Sequence, residues 1–114
     1  MLKITGKQIE LTRGDTAFIT LIPKIKTYGI PRQLLETDTI IFRLLTRQTL
    51  VEIPCVIDLE NNKALLTIEK EDTENITPGN YRYEVELITN NDQHFTFIAD
   101  QPFILGKELE VHGS

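Results

Sequence analysis

Tryptophan is absent, cysteine and methionine occur once each, and serine appears only as the last residue, Ser114. A lone cysteine, Cys55, cannot close an internal disulfide, which excludes a secreted disulfide scaffold. Long hydrophobic runs are missing too: none reaches the roughly 18 residues that a helical membrane span requires. Lys3, Lys7, Gln8 and Glu10 interrupt the first ten residues, so no signal-peptide apolar segment is expected there. Positive charge is in deficit, with 12 Lys+Arg against 17 Asp+Glu and a net charge of -5. That balance argues against binding a phosphate backbone or an anionic membrane surface, both of which need clustered Lys and Arg. The expectation is a chain made in the cytoplasm, with neither a nucleic-acid nor a membrane partner.

What remains favours strands. Alanine is rare, so the helix-favouring background is thin. Ile, Val and Thr instead supply about three in ten residues, a composition suited to pleated, half-buried surfaces. Ala17, Ile19 and Leu21 alternate with Phe18, Thr20 and Ile22, and Ile40, Phe42 and Leu44 alternate with Ile41, Arg43 and Leu45. Val51, Ile53, Cys55 and Ile57 form a further period-two set, interrupted by Pro54. Proline cannot donate to a ladder, so that strand is expected at an edge or with a bulge. Ala64, Leu66 and Ile68 follow, and then Tyr81, Tyr83, Val85 and Leu87 against Arg82, Glu84 and Glu86. Phe95 with Phe97, and Phe103 with Leu105, close the series.

Asn61-Asn62 and Asn90-Asn91-Asp92 read as hairpin tips, because Asn and Asp tolerate positive φ. A short helical turn is expected near 70–76, before the tight turn Pro78-Gly79. Residues 23–36 form the longest connection. With 114 residues, the chain is expected to be one domain spanning 1–114, with a frayed tail from about 108. Strands at roughly 8–12-residue spacing predict an all-β fold, an antiparallel β-sandwich of about seven to eight strands.

Chemistry finds little to work with. His94 and His112 stand 18 positions apart with no cysteine beside them, whereas a zinc site needs three or four converging ligands. Ile53, Pro54, Val56 and Ile57 around Cys55 offer no electropositive setting for a thiolate. Glu84 and Glu86 share the solvent face of a single strand, unlike a glycosidase pair, which flanks a cleft from separate elements. Asp58, Glu60, Asn61 and Asn62 lack the glycine and terminal glutamate of an EF-hand loop. The expectation is a protein without catalytic residues, cofactor or metal. Arg13-Gly14-Asp15 reads as a sharp turn into a strand, Gly14 supplying the turn and Asp15 bonding backbone N–H groups. Tyr81 begins a late strand after the Asp72-Thr73 corner, the place from which a sandwich tyrosine bonds back to the corner.

The order of these motifs resembles the immunoglobulin-like N-terminal domain of baseplate upper proteins from tailed phages and prophages of Gram-positive bacteria. The residues that carry the resemblance are Arg13-Gly14-Asp15-Thr16 with Ile19 and Leu21, then Asp38-Thr39-Ile40 with Phe42. Asp72-Thr73, Pro78-Gly79-Asn80-Tyr81-Arg82-Tyr83-Glu84-Val85, Leu87-Ile88 and Phe103-Ile104 continue it, so that it spans roughly residues 4–105. Gly14, Asp15, Asp72, Gly79, Tyr81 and Tyr83 are its signature positions. The resemblance implies an immunoglobulin-like sandwich and a non-catalytic virion protein of the tail or baseplate. It also implies docking onto other tail proteins and assembly as a homo-oligomer in the particle. Larger members of that family continue into helical and receptor-attachment regions; this sequence ends at Ser114.

Sandwich edges and exposed connections are natural docking surfaces. Partner contact is expected at Tyr28, Ile30, Leu34 and Leu35 of the long connection and at the Pro54 edge. The alternative is an adhesin-like module that binds sugar or cell wall, for which aromatic platforms are few: aromatics make 7% of the chain.

Overall fold

The period-two apolar pattern folds into two sheets around one shared core. The computed structural model describes residues 1–24, 26–27 and 30–108. Its strands are β1 (Leu2–Thr5), β2 (Gln8–Thr12), β3 (Ala17–Leu21), β4 (Lys26–Thr27), β5 (Ile30–Pro31) and β6 (Thr39–Leu45). Then follow β7 (Leu50–Pro54), β8 (Val56–Asp58), β9 (Lys63–Ile68), the single turn α1 (Lys70–Thr73), β10 (Gly79–Ile88) and β11 (His94–Gly106). One sheet has six strands in the order β1-β2-β11-β10-β6-β7, and the other three in the order β3-β9-β8. Among the described residues, β4 and β5 pair only with each other. The chain is therefore an all-β sandwich, with nine strands longer than two residues among the described ones.

Two corrections concern the topology. The sandwich is not wholly antiparallel, because β2 runs parallel to β11, with Phe103 opposite Ile9 and Leu105 opposite Leu11. The run from Val51 to Ile57 is not one strand. It leaves the six-stranded sheet at Pro54 and enters the three-stranded sheet at Val56. Pro54 does lie on an edge strand, β7. The Cys55 N–H donates to the Ile40 carbonyl at 2.8 Å and fixes the crossing point.

Alternation decides what is buried. Ile40, Phe42 and Leu44 of β6, Tyr83, Val85 and Leu87 of β10, and Phe103 and Leu105 of β11 point inward from the large sheet. Ala17, Ile19 and Leu21 of β3 and Ala64, Leu66 and Ile68 of β9 meet them from the small one. At the centre stand three aromatic rings, with Phe42 5.4 Å from Tyr83 and 6.1 Å from Phe103. Tilted pairs at such separations add to the burial itself. In immunoglobulin domains this place holds a tryptophan against an inter-sheet disulfide, and the corner tyrosine stands two residues before the second cysteine. Here Tyr81 stands two residues before Tyr83, and its hydroxyl donates to the Thr77 carbonyl. The Tyr83 hydroxyl donates to the Lys7 carbonyl and ties β10 to the β1–β2 turn.

The turns use the expected chemistry. Asn62 and Asp92 take positive φ, 53° and 61°, at the β8–β9 and β10–β11 tips. Gly14 takes φ 82° before β3, and its N–H donates to Thr73 Oγ1 at 2.9 Å. Asp72 Oδ2 accepts from the Glu69 N–H at 2.8 Å and closes the first turn of α1.

Candidate docking surface

The outward residues of the three-stranded sheet break the usual inside-outside rule. On β3 the outward positions are Phe18 and Thr20, continued by Ile22; on β9, Leu65 and Thr67; on β8, Val56. Strand pairing sets Phe18 opposite Thr67, Thr20 opposite Leu65, and Val56 opposite Leu65, so these side chains share one face. Phe18 is 76% exposed, Val56 67%, Ile22 58% and Leu65 41%. Scattered surface apolar residues need no explanation, but a contiguous apolar face marks an interaction site. Among the described residues β3 and β8 have no strand paired on their outer side, and edges of that kind can extend a partner's sheet. Charge enters at the rims, as Lys63, Asp58 and Glu69.

The outer face of the six-stranded sheet mixes charge with apolar side chains, since Leu45 and Leu50, paired in register, are 45% and 48% exposed beside Arg43 and Glu52. Arg43 on β6 reaches Glu52 on β7 at 2.9 Å and Glu86 on β10 at 3.0 Å, with Glu84 at 3.6 Å. His94 on β11 joins through Nδ1 to Glu86 at 3.2 Å and through Nε2 to Asp92 at 2.9 Å. Burial pushes the Glu86 carboxyl up, but Arg43 and His94 outweigh it and hold it below the usual range. The Asp92 and Glu86 carboxylates raise the His94 imidazole above its ordinary value. Arg43 and His94 thus face four carboxylates across four strands, which leaves the cluster net negative. Among the described residues, no group of three or more His, Cys, Asp or Glu is placed to hold a metal ion.

The residues singled out in the sequence fall in different places. Leu34 is a correction: it is 6% exposed and belongs to the core, not to a partner surface. The cause is local. Arg32 grips Asp38 with two bonds of 2.7 and 2.8 Å, Asp38 accepts from the Leu35 N–H, and the Leu34 N–H donates to Asn62 Oδ1 at 2.7 Å. This clamp turns Leu34 inward and leaves Leu35 54% exposed. Tyr28 and the Ile30 side chain lie outside the described residues, as does His112. Pro54 is exposed on its edge. Asp15 is a second correction. Its carboxylate pairs with the Met1 amino group and not with strand N–H groups, because the Thr12 N–H bonds the Met1 carbonyl and lays β1 alongside. Arg13 pairs with Glu108 at 2.6 and 3.0 Å, holding the first residue of the tail expected to fray. Gly79 opens β10.

Cys55 is half-buried against the core, and burial pushes its thiol up to about 11. At neutral pH roughly one such thiol in ten thousand is ionised, far below a nucleophile's requirement. One pocket of about 260 Å³ opens between the β6–β7 tip and the corner before β10, lined by Thr46, Arg47, Thr49, Asn75, Asn80 and Tyr81 among others.

Sequence reading missed Phe18, Val56 and Leu65. Ala17 to Ile22 is apolar on both faces except at Thr20, a signal that the outward face also needs covering.

The strand orders β3-β9-β8 and β11-β10-β6 correspond to the B-E-D and G-F-C orders of immunoglobulin sandwiches, with the tyrosine corner in its usual position. Compared with known protein families and with curated proteins, the chain matches none.

Proposed function

We propose that this chain is a non-catalytic docking module, and that the assembly it serves is a phage or prophage tail, as a baseplate component bound to other tail proteins. The apolar outer face of the β3-β9-β8 sheet carries the reading. Phe18, Ile22, Val56 and Leu65 have no use in an isolated domain, whose solubility they lower, and every use as a contact. The tail assignment is supported by the resemblance of residues 4–105 to baseplate domains. Its test is mass spectrometry of purified, induced particles from the source strain. Peptides of this chain at a fixed ratio to the other tail proteins are expected; a chain found only free in the cytosol overturns the tail assignment.

A second reading, the sugar- or cell-wall-binding module, has the pocket beside Arg47, Asn80 and Tyr81 in its favour. Its polar rim and one aromatic wall suit a glycan. A glycan array with a specific hit that Asn80→Ala abolishes would bring it forward.

A further inference from the structure

The central strand of the apolar face carries opposite charges at its two ends. Along β9 and its extension the outward residues are Lys63, Leu65, Thr67 and Glu69. Glu69 keeps extended backbone (φ -91°, ψ 162°), so it continues the alternation, and it is exposed. Asp58, paired in register with Lys63, accepts from the Asn61 side chain at 2.9 Å and adds a second negative charge to this face, at its Lys63 end. At about 3.3 Å per residue, Lys63 and Glu69 stand roughly 20 Å apart with neutral residues between them.

We propose that this face binds a second copy of the same chain through a two-fold axis across the middle of β9. Such an axis is isologous: whatever one copy offers at one end, the other meets at the opposite end. Here it sets each Lys63 against the other copy's Glu69, twice. Phe18 of each copy then covers the Thr20–Leu65 row of the other. The molecule as a whole carries -5, yet this face presents both signs to itself, so self-pairing meets attraction where a random face would meet repulsion. Three strands at about 4.8 Å spacing offer an area well under the roughly 800 Å² per partner of a standard interface. The dimer is accordingly weak, forming at high concentration and dissociating on dilution. This inference rests on the reading of the face as a docking surface, and it names the partner.

Sedimentation equilibrium of the full chain, from micromolar to millimolar, tests it. The expected result is a reversible monomer–dimer equilibrium. Lys63→Glu alone and Glu69→Lys alone each weaken it at least fivefold, since each sets like charges against each other. Mixing the two variants restores it, because one then carries carboxylates at both ends of β9 and the other carries ammonium groups at both. Circular dichroism confirms that each variant is folded; should Glu69→Lys disturb α1, Phe18→Ser serves in its place and must abolish the dimer. A monomer throughout the range, or a dimer indifferent to Lys63→Glu, overturns the proposal. The two readings fail separately. A monomeric chain found in particles overturns only self-pairing, and a dimeric chain absent from particles overturns only the tail assignment.

Discussion

Asp38 is the acidic group most completely withdrawn from water in the described structure, its side chain fully covered while Arg32 remains 17% exposed. Burial raises its carboxyl, and the Arg32 guanidinium with the Leu35 N–H overcomes that rise, so the folded-state value lies below the usual range. A carboxyl depressed on folding contributes its stability in full above its unfolded value near 4 and loses it as the pH falls towards the folded value. Asp38→Asn keeps the shape but leaves the guanidinium half-sheltered without its counter-charge, a loss of about 2–3 kcal/mol. Urea titrations at pH 7 and pH 3 check this. The variant is expected to be weaker at pH 7, with the difference from the parent shrinking at pH 3. A constant difference at both values would show that charge is not the cause. The same clamp turns Leu34 inward and Leu35 outward, so one ion pair determines which of two adjacent leucines meets solvent.

At the scale of elements, α1 is one turn long and cannot stand alone. Thr73, fully buried, holds it by accepting the Gly14 N–H, joining the corner before β10 to the turn before β3. Thr73→Val preserves volume and removes the acceptor, at a cost of about 1–2 kcal/mol, which is a fall in Tm of roughly 4–8 °C per kcal/mol in a domain near this size. Amide exchange at Gly14 is expected to accelerate with it; unchanged exchange there would mean the bond contributes nothing.

Elements of this kind differ in how far the sequence reveals them. Ala17-Ile19-Leu21 and Ile40-Phe42-Leu44 were readable because one-sided burial writes a period of two into the chain. The sheet change at Pro54–Cys55 was not readable. Ile53, Cys55 and Ile57 all pack against the same core, and the period continues across the crossing while the partner strands change. Nor was the parallel pairing of β2 with β11, which joins residues some ninety positions apart with no local signal. The exposed apolar face of the three-stranded sheet stayed hidden for a related reason. Phe18, Leu65 and Val56 lie on three strands, each with an ordinary share of apolar residues, and only the register gathers them.

The whole molecule measures 58 × 28 × 23 Å, with the Arg43 ion-pair cluster on one broad face and Phe18, Ile22 and Val56 exposed on the other. β2 and β11 set a further property. Their parallel pairing places the start of β2 and the end of β11 at opposite ends of one ladder, while β1 folds back so that Met1 lies beside Thr12. Mechanical tension applied through the two ends therefore acts in two stages. It first peels β1 from β2 bond by bond, from Leu2 towards Thr5, at low force. It then pulls β2 along β11 in shear, where all the ladder's hydrogen bonds share the load and must yield together. Force spectroscopy is expected to show a small early release followed by one tall peak, and Ile9→Pro, which removes a donor and a buried core side chain from β2, is expected to lower that peak. The β2–β11 ladder is thus the element that carries a load applied along the domain.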